Sequence, residues 1–156
     1  EDFLFAGTVR ENLAMEREWV GEEELELALE NSQAKDVVEA RAGGLDAAVA
    51  ERGATFSTGE RQLIAIARAL AGRPSLVILD EATSSVDSGV EAQIEEAQRN
   101  LTREKSSLVI AHRLSTVRRA DQIIVMNRGE CRERGTHEEL LLQDGIYARL
   151  YRLQFA

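Results

Sequence analysis

"VILDEATSSVD", residues 77–87, is an apolar run that ends in two adjacent carboxylates, Asp80 and Glu81, with a third acid, Asp87, close behind. The apolar part, Leu76 to Leu79, is of strand length, and a short unbroken apolar run suits a parallel strand buried on both faces. In an open parallel sheet, ligands bind beyond the carboxyl ends of the strands, which is where the acid pair falls. Two neighbouring carboxylates there need a cation or a proton. One reading is a Mg²⁺ held by Asp80, with Glu81 polarising a water for attack on a phosphoryl group. The other is an acid pair favoured by the dipole at a helix N-terminus.

Downstream, Val90, Ile94, Ala97 and Leu101 fall at helical spacing, Leu108 to Ala111 reads as a second buried strand, and Ile123 to Met126 as a third. Strand, helix, strand, helix, strand predicts a parallel sheet with crossover helices. Arg128-Gly129-Glu130 turns the chain into an edge strand over Cys131 to Arg134, and Thr136 with Glu139 predicts a capping box for a helix through Leu142. An amphipathic helix carrying Ile146, Leu150 and Leu153 ends the chain. Upstream, Glu22 to Leu29 and Gln33 to Arg41 are helix-forming, and Gly43-Gly44 breaks the second. Glu60 to Ala71 is a helix with Leu63, Ile64, Ala67 and Leu70 on one face, stopped by Gly72 and Pro74.

The chain has 156 residues, 44% hydrophobic and 30% charged with a single Pro, which suits one α/β domain with its own core. A net charge of -9 argues against a nucleic-acid surface, because neutralising phosphates takes clustered Lys and Arg. The lone Cys131 cannot form an internal disulfide. No apolar stretch approaches the roughly 18 residues that a membrane-spanning helix needs. The chain opens on Glu1 and Asp2 without an initiator Met, and reads as a cut from something longer.

Two more stretches carry chemistry. "FSTGERQLIAIARAL", from Phe56, sets Ser57 and Gly59 directly before a helix. That arrangement is an anion site built of free N–H groups, or an ordinary N-cap with Glu60 in the first turn. "LVIAH" places His112 at the end of the second strand, where a neutral imidazole could hydrogen-bond a phosphate and an attacking water.

Together these stretches resemble the nucleotide-binding domain of ABC transporters. "FSTGERQ" is similar to the signature motif, usually LSGGQ, and "LVILDE" to Walker B with its catalytic glutamate. "SSVD", Ser84 to Asp87, resembles the D-loop, and His112 the switch histidine. "FLFAGTVRENL" resembles the segment just after the Q-loop, and "ERG", Glu51 to Gly53, the exporter X-loop. The resemblance implies a P-loop NTPase-like parallel sheet with flanking helices. Its Walker A half is missing, since no G-x-x-x-x-G-K-[ST] occurs. It further implies a helical signature subdomain over residues 1–72 and the C-terminal part of the ATPase core over residues 73–156.

On the same resemblance Glu81 and His112 are catalytic, Asp80 holds Mg²⁺ through water, and Asp87 lies at a dimer interface. Ser57, Thr58, Gly59 and Glu60 would face ATP bound to a second nucleotide-binding domain, in a homodimer or a heterodimer. Phe56, Thr58 and Glu60 depart from the usual Leu, Gly and Gln. A carboxylate at 60 would repel those phosphates unless Arg61 or Mg²⁺ offsets it. The implied function is Mg-ATP hydrolysis coupled to export, at the cytoplasmic face of the cell membrane. The transmembrane domain would be fused N-terminally, there would be no nucleic-acid partner, and this stretch alone would be inactive. The alternatives are a soluble ABC ATPase of the chromosome-maintenance or DNA-repair kind and a non-hydrolytic regulatory half of a heterodimer.

Overall fold

The computed structural model describes residues 3–80, 88–111 and 114–155. They fall into two compact units, one of residues 3–78 and 88–108, the other of 79–80, 109–111 and 114–155.

The first unit is mostly helical. Strand β1 (Gly7–Thr8) leads into helix α1 (Val9–Ala14), followed by α2 (Glu22–Asn31) and α3 (Lys35–Glu39). Strand β2 (Ala48–Val49) pairs antiparallel with β1, Gly7 opposite Val49. The predicted helix from Glu60 is α4 (Thr58–Ala71), which begins two residues earlier because Ser57 caps it. Its apolar stripe is fully buried at Leu63, Ile64 and Ala67. It packs against α1, α2 and α5 (Ser88–Thr102). Leu13 of α1, Leu25 and Leu29 of α2, and Ile94, Ala97 and Leu101 of α5 complete that core. Three acids in the first turn of α2, Glu22 to Glu24, face the positive end of its dipole.

Strand β3 (Leu76–Asp80) is hydrogen-bonded to β4 (Ser106–Ile110), and α5 is the crossover between them. Two neighbouring strands joined through a helix form the βαβ unit of an α/β sheet. The strands are where the sequence predicts them, but their burial is one-sided. Val77 is buried, whereas Leu76 and Ile78 on β3 and Leu108 and Ile110 on β4 are 51–65% exposed. A strand alternates its side chains between two faces. No described element covers the even-numbered one.

The second unit holds α6 (Leu114–Arg118), β5 (Ile123–Asn127), β6 (Glu130–Gly135), α7 (His137–Leu142) and α8 (Ile146–Phe155). The sequence pattern predicts β5 as a third parallel strand, yet among the described residues it pairs only with β6, antiparallel, Asn127 opposite Glu130. The two-residue turn sets the antiparallel pairing with β6. Arg128 and Gly129 both have positive φ, 52° and 79°, as a type I′ hairpin turn requires. The predicted capping box is present at α7, with Thr136 and Glu139 bonded reciprocally. The core of this unit is Val125, Leu140 and Tyr147, with Ile123 and Ile146 against it. Glu133 of β6 accepts the first backbone N–H groups of α8, from Ile146 and from Tyr147 at 2.9 Å. On β5, Ile124 and Met126 repeat the one-sided pattern, 51% and 59% exposed.

Exposed apolar strand faces of this kind favour association. At high concentration the isolated chain is expected to self-associate in static light scattering. The double substitution Ile78→Lys, Ile110→Lys is expected to give smaller particles. A monodisperse monomer of the unaltered chain contradicts this.

Candidate functional site

The N-terminus of α4 is the best-defined polar site of the first unit. Ser57 has extended backbone, with φ -64° and ψ 166°, so its side chain turns back over the first helical turn. Its Oγ accepts from the Glu60 N–H at 3.2 Å, and its own N–H donates to Glu60 Oε2 at 2.7 Å. Gly59 is buried in that first turn and Thr58 is exposed. The structure thus brings Ser57, Thr58, Gly59 and Glu60 together in one turn and makes Ser57 the cap.

Two arginines hold the segment that enters this turn. Arg61 donates to the Phe56 carbonyl at 2.8 Å and to Thr58 Oγ1 at 3.1 Å. Glu60 has a different cation. Arg41, just beyond α3, donates to Glu60 Oε2 at 3.1 Å and to the Thr55 carbonyl at 2.7 Å. The Arg41 guanidinium also lies 4.2 Å from the centroid of the buried Phe56 ring. Arg41, not Arg61, is therefore the residue that offsets the Glu60 charge. Nothing in the local sequence marks Arg41, because it reaches this turn from 19 positions away.

Partial burial pushes the Glu60 carboxyl up, but the two Ser57 hydrogen bonds and Arg41 outweigh it, and the net direction is down.

The "ERG" turn and the start of the chain support the same helix. Gly53 has φ 67°, and a Cβ there would lie 2.8 Å from Arg61 Cδ and 3.1 Å from Leu4 Cδ1. Only glycine lets that turn close on Arg61. In "TVREN", Asn12 is buried and fully engaged. It accepts from Phe5 N–H, donates to the Phe5 and Thr8 carbonyls, and accepts from Arg68 of α4. Burial, with a smaller contribution from Arg17, moves the Arg68 pKa down.

Asp80 stands exposed at the carboxyl end of β3. An exposed carboxylate at a strand end suits a hard cation that keeps several waters. Among the described residues, no group of three His, Cys, Asp or Glu side chains is placed to hold a metal. Glu81, Asp87 and His112 lie outside the described residues.

The family model described as ABC transporter matches residues 1–84. The chain belongs to the ABC transporter family. It is 44% identical over 155 residues to the uncharacterized ABC transporter ATP-binding protein YfiC of Bacillus subtilis (strain 168), covering 99% of this chain and 26% of that one. It is 45% identical over 154 residues to the probable multidrug resistance ABC transporter ATP-binding/permease protein YheH of the same organism, covering 99% of this chain and 23% of the relative. The ATP-dependent lipid A-core flippase of Chromobacterium violaceum is 45% identical over 153 residues, 98% of this chain and 26% of its own. The chain therefore spans about a quarter of the length of these relatives. A solved structure of a bacterial Atm1-family ABC exporter with ATP bound superposes with a TM-score of 0.84 at 36% identity, covering 99% of this chain and 27% of that one. The fold is the α/β fold of an ABC exporter nucleotide-binding domain.

The lowered Glu60 pKa sets a pH dependence. Its folded value lies below its unfolded one, so its stabilisation is present above the unfolded pKa and lost as pH falls through the folded one. Glu60→Ala is expected to destabilise the chain by about 1 kcal/mol at neutral pH, the scale of a lost helix cap. Urea denaturation followed down to about pH 3, below the ordinary carboxylate range, is expected to show the two proteins converging.

Proposed function

We propose that the intact protein containing this chain is an ABC exporter whose nucleotide-binding domains hydrolyse Mg-ATP to drive transport across the cell membrane. The observation that carries this reading is the likeness, over 99% of the chain, to an exporter whose structure has ATP bound. The relative named as an ATP-binding/permease protein favours a transmembrane domain in the same polypeptide. No helix among the described residues is long and apolar enough to cross a membrane. The ATPase domain would sit at the cytoplasmic face. The exporter-like "TVREN" and "ERG" segments favour this reading over a soluble chromosome-maintenance or DNA-repair ATPase.

Within the domain, residues 1–72 would serve as the helical signature subdomain and residues 73–156 as the C-terminal part of the core. Asp80, one carboxylate at a strand end, would hold Mg²⁺ through water. The ion, when bound, neutralises charge on the phosphates. Glu81 would orient and polarise the attacking water, and His112 would hydrogen-bond the γ-phosphate. Ser57 and Gly59 would offer their donors to ATP on a second nucleotide-binding domain, with Thr58 and Glu60 beside them. Asp87 would lie at the interface of that homodimer or heterodimer. The even-numbered faces of β3 and β4 would be covered by further parts of the domain.

Two measurements test this. In the intact protein, Glu81→Gln is expected to lower ATP turnover by about 100-fold or more, the scale of a lost general base, while leaving ATP binding in place. His112→Ala is expected to slow turnover as well. Retention of most activity in Glu81→Gln removes Glu81 from its role. This 156-residue chain alone contains no G-x-x-x-x-G-K-[ST] loop to cradle the β- and γ-phosphates, so it is expected to give no binding heat with Mg-ATP in titration calorimetry. Micromolar binding contradicts that.

A further inference from the structure

We propose that Arg41 is a positioning residue for the signature turn, holding Glu60 and Phe56 in place and cancelling the Glu60 charge so that a partner's ATP phosphates can approach Ser57 and Gly59. The proposal rests on the functional reading above. Three contacts of one side chain carry it: 3.1 Å to Glu60 Oε2, 2.7 Å to the Thr55 carbonyl and 4.2 Å to the Phe56 ring centroid. The guanidinium joins the residue before the turn, the anchor of the turn and the acid inside it. A planar fork can bind two oxygens and stack on a ring at once, and an ammonium cannot.

The pair is also partly desolvated, with the Arg41 and Glu60 side chains 30% and 29% exposed. A charge that is half out of water is poorly screened, so its neutralisation matters to any anion nearby. Glu60 Oε2 accepts from the Ser57 N–H and from Arg41 together, so the carboxylate is both the partner of the Ser57 cap and the acceptor of the ion pair. Arg61 does not meet Glu60: its Nη1 donates to the Phe56 carbonyl and its Nη2 to Thr58 Oγ1. Without Arg41, Glu60 would keep its cap and present an uncancelled negative charge at the turn where phosphate is to bind. At about 10 Å and an effective dielectric of about 20, that repulsion amounts to roughly a tenfold loss in affinity.

The test uses the intact parent protein and measures ATPase rate against ATP concentration at low salt. Arg41→Met keeps an apolar stem against Phe56 and removes the cation. It is expected to raise the half-saturating ATP concentration about tenfold, by the repulsion just given, with turnover at saturating ATP within about twofold of the unaltered protein. Adding Glu60→Gln to Arg41→Met is expected to return half-saturation most of the way, because the uncancelled charge is gone. Arg41→Lys, which keeps the charge and loses the fork, is expected to fall between. A purely structural role for Arg41 predicts no rescue by Glu60→Gln. That result, or unchanged half-saturation in Arg41→Met, overturns the proposal while leaving the ATPase reading intact. A parent with no ATPase activity overturns both. If Arg41→Met does not fold, the Arg41→Lys protein decides: half-saturation identical to the unaltered protein, or turnover lost at every ATP concentration, counts against the proposal.

Discussion

Helix α4 has to meet two demands at once, and much of the first unit follows from them. Its apolar stripe must be shielded from water, which draws α1, α2 and α5 around Leu63, Ile64 and Ala67. Its N-terminal N–H groups must find acceptors, which places Ser57 and Glu60 in a reciprocal cap. The first demand fixes where the helix lies, and the second fixes the shape of the turn that precedes it. A turn stiffened in this way can present donors in a set geometry, the property required of a site that recognises phosphate.

The same turn shows how departures from a family pattern are accommodated. A carboxylate at position 60 brings a charge where the related motif has a neutral amide, and the fold meets it locally with a guanidinium from the end of α3. The partner comes from a segment that no motif covers. Compensation of this kind depends on tertiary proximity, and it keeps the helix cap while removing most of the charge that the cap introduces. The buried Asn12 works in a similar way. One amide side chain closes the "FLFAGTVREN" segment on itself and receives Arg68 from α4, so the segment and the signature helix are held through one satisfied polar group.

The open faces of β3 and β4 bear on how the chain relates to its longer relatives. A strand whose residues are apolar on both sides has a sequence suited to burial on both sides. Among the described residues, one face is covered and the other is not. The hairpin with β6 pairs one edge of β5 through a turn whose residues permit it.

The sequence by itself determined the longer elements and their kinds, but not β1, β2, α1 or α6. Apolar periodicity marked α4 and α5, short apolar runs marked β3, β4 and β5, and Ser57 and Thr136 announced their helices through residues three positions on. These are local effects, decided by side chains within one or two turns, and they are legible without a fold. The candidate site was legible in part for the same reason: the residues from Phe56 to Glu60 form one local turn. Tertiary structure alone decided that the described strand faces are covered on one side only, that a side chain at Gly53 would crowd Arg61 and Leu4, and that Arg41 answers Glu60. Each of these depends on groups far apart in the chain meeting in space, and no spacing in the sequence encodes a distance across the fold.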